Sequence, residues 1–212
     1  MAYDEKDAKR IRALLESIPE RITYRETPKL REIEQTLTRH LAQETPADKE
    51  TLADSVAILR YLAVCYERLG RFSVAAQFFD RALALAAQLY REFGEETKYA
   101  GEMLYRALKA HNYYVDDDCE QLLGLCRDCL PKADEIAQGA LNPRRHLKHD
   151  PVEMTGAYLA VIDEAEEYVE KKRRIRGLGA CYEVWNLKQK FLMEHGVDWH
   201  SPAVLNPQVR FD

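Results

Sequence analysis

Long apolar runs are missing from this chain. No window of its 212 residues comes near the roughly 20 uncharged apolar residues that a bilayer-spanning helix needs. Strand signals are missing as well, since no run alternates apolar and polar residues between turn residues. Glycine and proline are scarce, nine and eight in all, and the prolines sit at segment boundaries, which leaves the intervening stretches free to be helical. Cysteines number five, an odd count with no repeated spacing, so reduced thiols are expected rather than a disulfide framework. Positive charge is not in excess. The net charge of −5 argues against general nucleic-acid affinity, which needs a basic face. The N-terminal stretch MAYDEKDAKRIRALLESIP is charged and amphipathic, without the apolar core of a secretory signal, so the expected location is the cytoplasm.

What the chain has is nearly continuous helical periodicity. Ile11, Leu14, Leu15 and Ile18 share one face of a first helix near 4–18, stopped by Pro19. Thr27-Pro28 and Thr45-Pro46 read as caps followed by a first-turn proline, opening helices near 28–43 and 46–69. Gly70 ends the third helix, and a fourth spans about 72–93 before Gly94. A fifth is expected at 96–115. Asp116 to Asp118 form a turn that caps a sixth near 118–138, which Pro131 should kink or split. Residues 140–151 read as the clearest connection and a possible sub-boundary. Asp150-Pro151 opens a seventh helix to about 171, and an eighth covers about 178–195. The expected architecture is all-α, about eight helices in stacked antiparallel pairs. It forms a single domain over 1–196, with a non-helical tail at 197–212 whose apolar residues dock it.

Residues 56–89, VAILRYLAVCYERLGRFSVAAQFFDRALALAAQL, carry the most specific pattern. Leu59, Leu62, Ala63 and Tyr66 precede a turn at Gly70, and Phe72, Ala75, Phe79, Ala82 and Leu83 follow it. Small residues stand where two helices cross closely, and aromatics fill the gaps between. At this spacing the stretch resembles one tetratricopeptide repeat. Ala87 replaces the family's closing proline, so the fourth helix is expected to run on. The resemblance covers 34 residues and implies a degenerate α-solenoid and a non-catalytic role in binding or scaffolding a peptide or protein.

By that resemblance the first helix of each pair lines a concave groove. It then offers Ala57, Arg60, Tyr61, Val64, Glu67 and Arg68 from one helix, and Tyr105, Arg106, Lys109 and Asn112 from the next. Arg60, Arg106 and Lys109 around Tyr61 and Tyr105 suit a carboxylate or acidic peptide, although such charges also populate ordinary solvated helix faces. The family's chaperone-tail clamp is not reproduced, because Arg60 stands for its lysine and Val64 for its asparagine.

Two other readings come from different residues. Cys126 and Cys129, with His146 and His149 downstream, have soft-ligand chemistry suited to structural zinc, against the ordinary use of Cys as a small core residue. Lys171, Lys172, Arg173, Arg174 and Arg176 form a basic turn at 171–176 through which a regulator could contact nucleic acid. The same charges also complement a helix C-terminus. Catalysis finds no support: there is no phosphate-binding glycine loop and no metalloprotease pair, and Gln121 occupies the glycine position of a calcium loop. No cofactor and no membrane are expected. Trp199, Pro202, Leu205 and Phe211 in the tail are expected to cover the chain's own groove or reach a second copy in a homodimer.

Overall fold

The computed structural model describes residues 5–41, 48–114, 119–141, 147–177 and 179–211. Among them are ten α-helices and no strand: α1 (Glu5–Glu16), α2 (Thr27–Leu41), α3 (Lys49–Arg68), α4 (Phe72–Phe93), α5 (Ala100–His111), α6 (Glu120–Cys126), α7 (Ala133–Ala140), α8 (Gly156–Lys172), α9 (Ala180–Glu194) and the single turn α10 (Pro202–Leu205). The all-α expectation holds, and the helices pack in contacting pairs: α1 with α2, α3 with α4, α5 with α7, and α8 with α9. None is long and apolar enough to cross a membrane among the described residues.

Local chemistry explains where each helix begins and ends. Thr27 does not cap α2, because a short 3-10 turn (Tyr24–Glu26) runs straight into it. The capping falls to Thr23, whose backbone N–H and hydroxyl donate to Glu26 at 2.8 and 2.9 Å. Thr27 is instead buried, its hydroxyl accepting from Arg71 Nη1 at 3.3 Å. Asp48 caps α3 by accepting the Thr51 N–H at 2.8 Å, and that backbone bond holds its carboxyl below the usual range. The Thr45-Pro46 start and the Asp116–Asp118 cap lie outside the described residues. Gly70, at φ +70°, makes the turn between α3 and α4, a conformation that costs any other residue its Cβ clearance.

Pro131 splits the expected sixth helix in two. The chain leaves α6 through Cys129 and Leu130, whose N–H groups both return to the Cys126 carbonyl, and restarts as α7. The expected helix over 96–115 is shorter, because residues 94–99 form an irregular segment and α5 begins only at Ala100. Asp150-Pro151 does start a helical turn, with the Asp150 carboxylate accepting the Val152 N–H at 2.9 Å. That turn is 3-10 (Pro151–Met154), and Thr155 re-caps the chain to open α8.

The described residues fall into two compact units. The first is built from α1 to α7. In its centre Ala63, Ala75 and Ala82 are fully buried, and Tyr66 stacks on Phe78 with ring centroids 5.4 Å apart. The small residues let α3 and α4 approach closely, and Leu59, Leu62, Phe79 and Leu83 fill the space between. Each such large side chain contributes about 1.5–3 kcal/mol by leaving water. The α4 helix also packs on α5, where Met103, Leu104, Ala107 and Leu108 are buried. Gly101 is where α5 meets α7: a Cβ there would stand 3.3 Å from Ile136 Cδ1.

The second unit comprises α8, α9 and α10 with the segments around them. Tyr158, Ile162, Ala165, Leu192, Val197 and Trp199 form its core. Its tail is held by polar contacts as well. Trp199 Nε1 donates to Glu153 at 2.7 Å, the His200 N–H donates to Asp150 at 2.7 Å, and the Asn206 side chain bonds both the N–H and the carbonyl of Lys148, at 2.8 and 2.9 Å. Phe211 meets Trp185 edge-on at 5.1 Å, whereas Val204 stays exposed.

Candidate functional site

The α3 and α5 helices are the first members of successive hairpins, and their side chains meet along one face of the first unit. Arg60 Nη2 donates to Glu102 at 2.9 Å, Arg106 Nη2 reaches the same carboxylate at 3.0 Å, and Arg106 Nη1 donates to Glu67 at 2.5 Å. The result is a ladder of alternating sign, Arg60–Glu102–Arg106–Glu67, running across the two helices. Glu102 is held below the ordinary carboxyl range, first by its hydrogen bond from Arg60 and then by both arginine charges, with partial burial opposing. Tyr99 lies over the Arg60 guanidinium, 4.1 Å from ring centroid to Cζ.

The candidate residues on α3 and α5 divide by this geometry. Arg60, Glu67 and Arg106 are brought together, but the positive groups are already matched by carboxylates of the same unit. Tyr61 sits beside them, half-buried and one turn before Cys65. Burial pushes the Tyr61 hydroxyl up to about 12 and the Cys65 thiol up to about 11. Val64 packs partly against the core. Tyr105 is exposed, at 38%. Lys109 is half-buried. Asn112 closes the end of α5 with its N–H on the Leu108 carbonyl at 3.0 Å. Arg68 turns elsewhere, donating to the Glu20 carbonyl at 3.3 Å.

Two residues of the face were not among the expected ones, Glu102 and Tyr99. Glu102 carries a sequence signal in retrospect, since it stands one turn before Arg106 and makes an i, i+4 pair with it. Tyr99 carries none, because it belongs to the irregular segment that replaced the start of the expected helix.

Beside the ladder, a cavity of about 210 Å³ opens between the first half of α3, Leu89 of α4 and the 95–99 segment. Ala53, Val56, Ala57 and Leu89 give it an apolar wall, while Arg60, Thr97 and Tyr99 give it polar groups. Arg60 Nε and Thr97 Oγ1 are both buried and, among the described residues, have no hydrogen-bond partner. A larger cavity, about 690 Å³, lies by α4, α5 and α6, lined by Asp80, His111, Cys119, Glu120 and neighbouring residues. There His111 Nε2 is 2.8 Å from Asp80.

The zinc candidates separate by environment. Cys126 is fully buried, and burial drives its thiol up to about 12. The Cys129 thiol donates to the Cys126 carbonyl at 3.4 Å. His149 stacks at a tilt on Tyr113, 4.9 Å away, with Nδ1 3.4 Å from Glu153. His146 lies outside the described residues. Among the described residues, no group of three or more His, Cys, Asp or Glu side chains is placed to hold a metal ion.

The basic turn is fully exposed from Lys171 to Gly177. Its backbone is fixed by Glu183 on the first turn of α9, which accepts the Arg174 N–H at 3.0 Å and the Ile175 N–H at 2.6 Å. Lys171 pairs with Glu167 at 2.6 Å. Among the described residues, Lys172, Arg173, Arg174 and Arg176 have no side-chain ion pair. Comparison with protein-family models, with curated proteins and with solved structures gives no match to this chain.

Proposed function

We propose that the first unit is a tetratricopeptide-like binding module and that its α3/α5 face receives a peptide or protein partner. The observation that carries this reading is that the first helices of two successive pairs are bridged by a self-neutralised ladder. Aromatic and apolar groups stand around that ladder: Tyr99 and Tyr105 exposed, Tyr61 and Val64 half-buried. Exposed tyrosines on a rigid scaffold supply contact area at low entropic cost. The ladder also qualifies the partner's chemistry. With Arg60 and Arg106 already facing Glu102 and Glu67, the face has little net positive charge to spend on an acidic peptide. The test is partner retention by purified protein with Tyr61→Ala plus Tyr105→Ala, against Gln77→Ala on the exposed side of α4. Loss of the same identified partner in the first variant alone supports the face, and equal retention in both refutes it.

A second reading is favoured by the Glu183 brace, which holds four exposed cations in one fixed turn. On this reading the turn at 171–176 contacts nucleic acid. Four phosphate contacts on a single strand predict a salt slope of about −3 in log affinity against log salt. A binding signal that ignores salt, or survives Arg173→Ala plus Arg174→Ala unchanged, contradicts it.

A further inference from the structure

We infer that the 210 Å³ cavity beside the ladder is an anchoring subsite for a neutral carbonyl group, the backbone amide or the Asn or Gln side chain of an extended peptide. The inference rests on the reading of the α3/α5 face as a partner surface and adds what that partner presents. Its basis is the pair of orphaned polar atoms. Arg60 Nε–H is a donor with no acceptor, and the Thr97 hydroxyl is a donor with none. Buried donors left dry are rare in folded proteins because each forfeits the bonds it made to water. Here both belong to residues that line the same small cavity. One carbonyl oxygen has two lone pairs and can accept from both.

Charge selects a neutral acceptor over a carboxylate. The guanidinium of Arg60 is already matched by Glu102. Glu95 and Glu96 line the cavity and are exposed, and among the described residues only Glu95 of the two is answered, by Lys49 at 2.7 Å. An anion entering there meets carboxylates before it meets a donor. The wall of Ala53, Val56, Ala57 and Leu89 suits the aliphatic part of one residue, and the volume holds little more.

Access is local. Tyr99 covers the guanidinium face and is itself 42% exposed, in the 94–99 segment that joins α4 to α5. Rotation of the Tyr99 ring off the guanidinium uncovers Arg60 Nε, and its return closes the ring over the bound carbonyl.

The full-length chain with ¹⁵N-labelled arginine and methyl-labelled threonine tests this, with N-methylacetamide and sodium acetate as the two probes. Saturable shifts of the Arg60 Nε–H and Thr97 methyl signals with the amide are expected, with acetate weaker by about fivefold or more. Thr97→Val keeps the shape and removes one donor, so the amide should bind it about fivefold less tightly, the worth of one neutral hydrogen bond. Arg60→Lys, which lacks the Nε donor, should lose the shift altogether. No saturable shift, tighter binding of acetate, or equal amide binding by Thr97→Val each overturns the subsite. The parent reading fails separately: retention of an identified partner that survives Tyr61→Ala plus Tyr105→Ala refutes the face whatever the amide does. Retention lost there but unaffected by Thr97→Val refutes the cavity alone.

Discussion

Glu153 is the residue whose removal should be felt most in the second unit. Its side chain is 7% exposed and accepts the indole N–H of Trp199 at 2.7 Å and the Tyr114 hydroxyl at 3.1 Å. Replacing it with alanine leaves the Trp199 N–H, itself in a residue 2% exposed, without an acceptor. It also leaves Lys188, which stacks 4.7 Å over the Trp199 ring, without the nearby carboxylate. An orphaned buried donor costs about 1–3 kcal/mol, and removing one member of a buried charged set about 3–5 kcal/mol. We take about 3 kcal/mol as the net, because the carboxylate's own desolvation cost is relieved. Both tryptophans of the chain, Trp185 and Trp199, belong to this unit, so their fluorescence reports on it alone. With a urea slope of about 1–2 kcal/mol/M for so small a unit, the midpoint should fall by at least about 1.5 M. Glu153→Gln keeps an acceptor for the indole and should fall between the two. A shift below about 0.3 M for Glu153→Ala would mean that the tail is held by packing alone.

The same carboxylate makes the second unit acid-sensitive. Burial pushes its pKa up, but His149, Lys188 and Trp199 outweigh this and bring it below the ordinary value of 4.5. A depressed folded pKa gives stability that is fully present above the unfolded value and lost as pH falls through the folded one. The tryptophan-detected midpoint should therefore drop below about pH 4.5 in the wild type, with that component missing from Glu153→Gln. Phe79→Ala, at a fully packed centre between α3 and α4, should cost about 3–5 kcal/mol by circular-dichroism melting. Gly70→Ala meets open space but a left-handed backbone and should cost about 1 kcal/mol in the same assay, the penalty of αL for a residue with a Cβ. Iodoacetamide at neutral pH should leave Cys65 and Cys126 unmodified in the folded chain, since burial both hides the thiols and raises them to about 11 and 12. Mass spectrometry showing either labelled before unfolding would contradict the packing described for α3 and α6.

How much of this was legible beforehand depends on the range of the interaction. The span of α4 was readable to the residue because Gly70 and Gly94 bracket an unbroken apolar stripe. Pro131 was readable as a break because its ring acts on its own helix. Thr27 misled, since its sequence context is that of a cap, whereas the actual cap depends on Thr23 and Glu26 folding one turn earlier. The candidate face shows the same limit. Arg60, Glu67 and Arg106 were placed by the tetratricopeptide resemblance, but their neutralisation needed side chains of α3 and α5 to meet, which no spacing within one helix encodes. The cavity was still less visible, because Thr97 and Tyr99 lie in a segment that periodicity assigned to helix. Trp199 was recognisable as apolar and hence docked, but not as a donor to a glutamate 46 residues earlier.

Whether the α3/α5 face meets a partner is read by site-specific photo-crosslinking in the native host, with the photoreactive residue at position 105 on α5, position 61 on α3, or position 77 on the exposed side of α4. One identified protein should be captured from 105 and from 61 but not from 77. Capture from 77 alone, or of unrelated proteins from 61 and 105, would contradict it.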